Sequence, residues 1–427
     1  MRKHLVSVFL LSTLVLAPGL LRAQSAPSGV ALGNVLYFSG SDPAHGAELW
    51  RSDGTVAGTR PVIDLRPGRA GSDPRDLTVF QGRLWFTADD GAHGREIWST
   101  DGTAAGTRLL ADLCPGPCSQ LAGNPGLVPS GNRLFFLLGQ FGDYQLWSTD
   151  GTAGGTVESL ALGFYAAILS PVANGKVLLS VTQTGTGSGV DSLWAGDAHG
   201  AVDLGLYATR RHIPLGNVTL FWKDSTLWRT DGTVAGTQVV QQNISQPTTP
   251  PLVRNGIAYF SNSEGLWESD GTTAGTIKLR DGISHAVFAA SPCGPIFQSS
   301  ELIWRIQEPQ RQVESLSRIL NTGAVLGPWN AGDRVFYATE KTNESETPEL
   351  WKVDPRTCQV RKVAELCTAA QPCAPGVPLP VQQPAGAGRI GFFVVQTAAG
   401  RLVLWRTDGT AKGTFRLAII GRAGSPS

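Results

Sequence analysis

Short apolar runs broken by turn residues recur along the chain. From Leu77 to Leu113 the pattern predicts four strands, Leu77–Phe80, Leu84–Ala88, Arg95–Thr100 and Thr107–Leu113, separated by Gln81-Gly82, by Asp89 to Gly94 and by Asp101 to Gly106. Other copies place Asn174-Gly175 or Asn255-Gly256 at the first turn, the preferred chemistry of a tight hairpin. Each unit therefore reads as an antiparallel meander. Its second strand is apolar at successive positions, as in Leu36-Tyr37-Phe38, Leu134-Phe135-Phe136-Leu137-Leu138 and Gly391-Phe392-Phe393-Val394-Val395. Successive strand residues point to opposite faces, so each small sheet must be covered on both sides.

The third strand and the turn after it repeat almost verbatim. Glu48-Leu49-Trp50-Arg51-Ser52-Asp53-Gly54-Thr55-Val56-Ala57-Gly58-Thr59 returns from Glu96, Gln145, Thr226, Gly265 and Val403. Weaker copies around Trp194, Trp304 and Trp351 keep the tryptophan and lose the Gly-Thr turn, which brings the count to nine. Trp50 and Trp405 lie 355 residues apart across eight intervals, a mean period of about 44. Four-stranded units of that length, apolar on both faces, are satisfied together by radial stacking. The expected fold is an all-β propeller of seven to nine blades, a β-solenoid being the alternative. The repeated region starts at Val30 with a first strand and ends near Ile420 with a fourth, so the ring can close without a shared blade.

At these residues the chain closely resembles the bacterial ELW-x-x-DGT-x-x-GT repeat proteins, also called hyalin-like. The likeness spans nearly everything after residue 29, includes His45-Gly46 and His93-Gly94, and implies an exported protein with no established reaction.

The basic Met1-Arg2-Lys3-His4 followed by the apolar run Leu5 to Leu21 predicts a signal peptide over residues 1–23, cut between Ala23 and Gln24. A short segment (24–28), the propeller (29–420) and a tail (421–427) follow. The protein is expected to be secreted, periplasmic or at the cell surface, as a monomer without a membrane span. A net charge of +1 with 16% charged residues carries no nucleic-acid footprint.

Six cysteines in an exported chain read as disulfides. Cys114 and Cys118 bracket Pro-Gly-Pro, and Cys367 and Cys373 occupy the same place in a later copy, so each pair is expected to be bonded. Cys293 and Cys358 can pair only if neighbouring repeats meet.

Six aspartates share one turn position: Asp53, Asp101, Asp150, Asp231, Asp270 and Asp408. One carboxylate per turn falls far short of a calcium shell, and divergent copies substitute Asp354-Pro355 and Glu308-Pro309, so the aspartates read as turn-formers rather than metal ligands. The tryptophans at 50, 98, 147, 194, 228, 267, 304, 351 and 405 (Trp50, Trp98, Trp147, Trp194, Trp228, Trp267, Trp304, Trp351, Trp405) read as core between blades rather than glycan platforms. His45 and His93 read as polar turn residues, Gly185 to Gly189 as a loop and Glu340 to Glu349 as a solvated segment.

No nucleophile elbow, zinc motif or recognisable triad is present. The expectation is therefore a non-catalytic scaffold without cofactor or metal, binding an extracellular protein or glycan. A propeller glycosidase or lyase with an unrecognised carboxylate pair is one alternative, and a passive matrix component the other. Binding is expected on the face carrying the second-to-third-strand turns and the inter-repeat linkers, because Gly139 to Tyr144, Gln183 to Val190, Glu340 to Pro348 and the two cysteine-bracketed segments vary there.

Overall fold

A computed structural model describes residues 29–422 except 117–120, 122–125, 140–142, 163–164, 183–190, 208–210, 301, 319–324, 340–348, 367–384 and 398. Nine four-stranded antiparallel sheets follow one another along the chain as the blades of a nine-bladed β-propeller. The first strands are Val30–Leu32, Arg75–Phe80, Val128–Ser130, Tyr165–Val172, His212–Pro214, Leu252–Arg254, Val287–Ala289, Val325–Ala331 and Ala385–Ala387, which define blades 1 to 9. They lie innermost, each at one edge of its sheet and close to the first strands of neighbouring blades. The approach is close between blades 8 and 9, where a Cβ on Gly386 would stand 2.1 Å from the Asn330 carbonyl.

The three divergent copies are full blades, so the number reaches the top of the expected range. Loss of the Gly-Thr turn leaves the sheet intact: the outer strands of blades 4, 7 and 8, Gly200–Tyr207, Gln312–Arg318 and Val360–Glu365, are longer than those of blades 1 and 2. In blade 2 the outer strand is only Arg108–Leu109 instead of running to Leu113. There the chain peels off because the buried Glu96 carboxylate takes the Cys114 amide, which a straight strand would keep at the sheet edge.

The second strands bear out the two-faced pattern. Leu84 to Ala88 and Leu134 to Leu138 are buried throughout, since each blade packs on a neighbour at either side. Trp50, Trp98, Trp267 and Trp405 are buried, while Trp147, Trp194, Trp228, Trp304 and Trp351 are partly buried against the inter-blade clusters.

Ring closure exchanges no strand between the ends. Leu36, Phe38 and Trp50 of blade 1 pack on Ala387, Phe392, Val394, Leu404, Leu417 and Ile420 of blade 9, and all four strands of blade 9 come from the C-terminal end of the chain.

Cys293 and Cys358 form a disulfide with their Cα atoms 5.9 Å apart, joining blades 7 and 8. Cys114 is also disulfide-bonded, and Cys118, Cys367 and Cys373 lie outside the described residues. Among the described residues no helix is long and apolar enough to cross a membrane.

Candidate functional site

In an up-and-down blade the first-to-second and third-to-fourth turns share one face. The other face carries the second-to-third turns and the linkers. The Cys293–Cys358 bond shows this arrangement directly, joining a first-to-second turn to a third-to-fourth turn.

The six Asp-Gly-Thr turns share one geometry. In blade 5, Asp231 Oδ1 accepts the Thr233 amide at 2.9 Å and its hydroxyl at 2.7 Å, and Thr233 Oγ1 accepts the Gly236 amide at 2.9 Å. The Asp231 hydrogen bonds hold its carboxyl below the usual range. Gly232 is left-handed, with φ +81°. Gly236 is required for another reason: a Cβ there would stand 2.1 Å from Asp231 Oδ1. The carboxylates of Asp53, Asp101, Asp150, Asp270 and Asp408 are placed identically, with the glycine and the threonine hydroxyl of the same turn around them. Among the described residues no group of three or more histidine, cysteine or acidic side chains is arranged to hold a metal ion.

These turns also reach the next blade. Arg51, Arg229 and Arg406, each directly after a repeat tryptophan, donate to the carbonyls of Gly102, Gly271 and Gly54, while Lys352 donates to Gly409 and Lys176 to Gly232. The repeated turn is thus a clasp between blades.

The opposite face is chemically different at blades 1 and 2. Asp42 Oδ1 accepts the Ala44 and His45 amides and its carboxylate bonds His45 Nδ1 at 2.9 Å; Asp90 repeats this with Ala92 and His93, the ring contact being 2.7 Å. The aspartates raise both imidazoles above their ordinary value. Behind each histidine lies a buried glutamate. Glu48 is filled by the amides of Leu65, Arg66 and Ser72 and by the Ser72 hydroxyl, whereas Glu96 Oε2 has no partner and burial pushes its carboxyl up to about 7.

Between these features, the inner strand of blade 2 begins irregularly. Asp73 and Asp76 are both left-handed, with φ +48° and +55°, and the register shifts between Arg75 and Thr78. Such backbone is uncommon for a non-glycine residue and collects where a side chain must be aimed. The two carboxylates have contrasting surroundings. Asp73 is ion-paired with Arg95 at 2.7 Å and Arg75 at 2.5 Å. Asp76 receives only the Thr87 hydroxyl, at 2.8 Å, and burial raises its carboxyl. Arg95 also donates to the Asp73 carbonyl, locking the second-to-third hairpin onto the inner strand, while the Arg75 side chain is 54% exposed.

None of these four residues stands out in the repeat pattern. A usable signal was the run Ser72-Asp73-Pro74-Arg75-Asp76 at the entry of blade 2, with acids and a base where other first strands are apolar. Of the loops expected to carry function, 183–190, 340–348 and 367–384 lie outside the described residues, and so do parts of 139–144 and 114–118.

No family model and no curated protein matches the sequence. Solved structures do. The tricorn protease is 12% identical, with a TM-score of 0.30 over 92% of this chain and 49% of that one. Dipeptidyl peptidase 4 of Porphyromonas gingivalis is 10% identical, with 0.46 over 94% and 60%. The WD40 domain of SCAP from fission yeast is 10% identical, with 0.41 over 87% and 93%. The chain spans about half the length of the first solved chains it is similar to. At this identity the likeness concerns the fold alone.

The expectation of a non-catalytic binding scaffold is corrected: it finds no support here, and the solved chains this one is similar to include proteins named as peptidases. It rested on finding no catalytic motif. Carboxylates held by backbone irregularity and by an arginine from another strand leave no local motif to find.

Proposed function

We propose that the chain is a carboxylate-dependent hydrolase acting on a polar, hydroxyl-rich substrate such as a glycan, at the mouth of the central channel beside blade 2. One observation carries this reading: two aspartates three residues apart, both in left-handed backbone, one just before and one within the innermost strand of blade 2, sit in different environments. Pairs of carboxylates separated in this way divide the labour of acid–base hydrolysis. Asp76, half-buried and hydrogen-bonded by a neutral hydroxyl, is suited to donate a proton to a leaving oxygen. Asp73, ion-paired with Arg75 and Arg95, is suited to be the second carboxylate of the pair. Exposed Arg75 would meet the substrate, and the Arg95 bonds to Asp73 fix the geometry.

We also read the chain as an ELW-repeat protein of an oxidising compartment outside the cytoplasm, a placement that the Cys293–Cys358 bond supports.

The experiment is release of reducing ends from a panel of oligosaccharides of differing linkage, between about pH 4 and pH 8. Turnover of one linkage class is expected. It should fall by at least about 10²-fold in Asp76→Asn with little change in KM, asparagine being tolerated in left-handed backbone, and persist in Asp231→Ala on the far face. No turnover on any substrate, or an Asp76→Asn variant as active as the parent, would overturn the proposal.

A further inference from the structure

We infer that the Cys293–Cys358 bond is a redox-sensitive staple across a seam between blades 7 and 8 that the rest of the structure leaves under-held on the Asp-Gly-Thr face. Five junctions, 1–2, 4–5, 5–6, 8–9 and 9–1, carry a lysine or arginine bonded to a turn glycine of the next blade. At junction 6–7 the clasp takes another form, with Tyr259 donating to Glu308 at 2.5 Å and Arg311 paired with Glu268 at 2.5 Å.

Junction 7–8 has neither, and among the described residues junctions 2–3 and 3–4 also lack a lysine or arginine bonded to a neighbouring turn. Arg305 follows Trp304 as Arg51 follows Trp50, yet it turns back to Glu314 of its own blade. The facing turn of blade 8, Asp354-Pro355-Arg356-Thr357, has no glycine. Among the described residues no lysine or arginine donates to a turn carbonyl across this junction.

The apolar packing here is also smaller than at the most heavily packed junction. The buried cluster here is Ala289, Ile296, Ile303, Val335, Tyr337 and Val353, whereas junction 8–9 buries Trp329, Phe336, Phe393 and Trp405. The Tyr337 hydroxyl is fully buried without a partner, which costs stability at this seam. Besides the disulfide and this apolar cluster, the blades are held at the channel end: Asn330 Oδ1 accepts the Ala290 amide at 3.1 Å, and its Nδ2 donates to the Ala290 carbonyl. Loss of the staple therefore opens the seam from the Asp-Gly-Thr face, hinged on the Asn330–Ala290 pair.

The chemistry is thiol–disulfide exchange with a dithiol reductant. One thiolate attacks Cys293 or Cys358, the S–S bond breaks, and the second thiol closes the reductant's own disulfide. Two electrons and two protons pass to the protein, leaving two thiols.

The test is hydrogen exchange read by mass spectrometry on the whole chain, oxidised, treated with dithiothreitol, and as Cys293→Ser/Cys358→Ser. The double variant separates this bond from the one at Cys114. Amides in 289–296 and 353–360 are expected to exchange at least about tenfold faster in both treated and variant protein, while the Asp-Gly-Thr turns of blades 1, 5 and 9 stay within about twofold. Should the double variant not fold, reduction of folded parent protein gives the same readout. Unchanged exchange in 289–296 and 353–360, or an increase spread evenly over all nine blades, would overturn the inference.

Discussion

Arg406 in the last blade donates through Nη1 to the carbonyl of Gly54 in the first, 3.0 Å away and 352 residues earlier in the chain. The same guanidinium bonds the Gly413 carbonyl at 3.2 Å and stacks on Phe415 at 5.1 Å. Because no strand is exchanged between the ends, this contact and the apolar cluster behind it close the ring. Arg406→Ala should lower stability by about 1–3 kcal/mol in thermal or urea unfolding, with Lys recovering part of the loss. Arg60→Ala, an exposed arginine whose bond is to its own neighbour Pro61, is the control and should change little. Equal effects from the two would show that the clasp plays no part in closure.

The Asp231–Gly236 contact predicts a coupled pair. Gly236→Ala alone should be strongly destabilising, because all three atoms nearest its new Cβ belong to the Asp231 carboxyl group. Asp231→Ala should cost about 1 kcal/mol through the lost turn bonds. The double variant should be more stable than Gly236→Ala, a non-additivity measurable in a double-mutant cycle. A chelator should leave all four proteins unchanged, and a drop in Tm of the parent alone would identify the aspartates as metal ligands instead.

His212 on the inner strand of blade 5 stacks on Phe221 with ring centroids 6.4 Å apart, and its Nε2 is buried without a partner. Burial lowers its pKa from 6.5 to about 4. The folded state thus binds fewer protons than the unfolded state between these values. Stability should be unaffected above pH 6.5 and fall as pH drops through that window, by up to about 3 kcal/mol at pH 4 and below. His212→Phe should abolish this part of the acid sensitivity, as seen by comparing urea midpoints at the two ends of the window.

Tyr337 stands where blades 1, 2 and 6 place Phe38, Phe86 and Phe260 opposite the repeat tryptophan. Its hydroxyl has no partner at complete burial. Tyr337→Phe should therefore raise stability by roughly 1 kcal/mol, detectable as a higher urea midpoint with unchanged m-value. A loss of stability would reveal a partner for that hydroxyl.

Much of the fold was written locally. The period, the strand-turn-strand chemistry of Asp-Gly-Thr, the apolar second strands and the phase of the two ends all reside in runs of a dozen residues or fewer. Such features fix backbone conformation and side-chain direction before any distant contact forms. That is why nine copies of a tryptophan strand in the sequence became nine blades. Tertiary structure decided what lies between the blades. Arg51 and Gly102, Cys293 and Cys358, and Arg406 and Gly54 are brought together by the radius of a nine-membered ring, which no single repeat encodes. The Asp73–Asp76 arrangement depends on the same thing: its aspartates were visible as letters, but their contrast comes from Arg95 and Thr87 on the neighbouring strands and from burial at the channel. A repeat specifies its own sheet, whereas electrostatic environment is a property of everything packed around a side chain, and only the closed ring determines that.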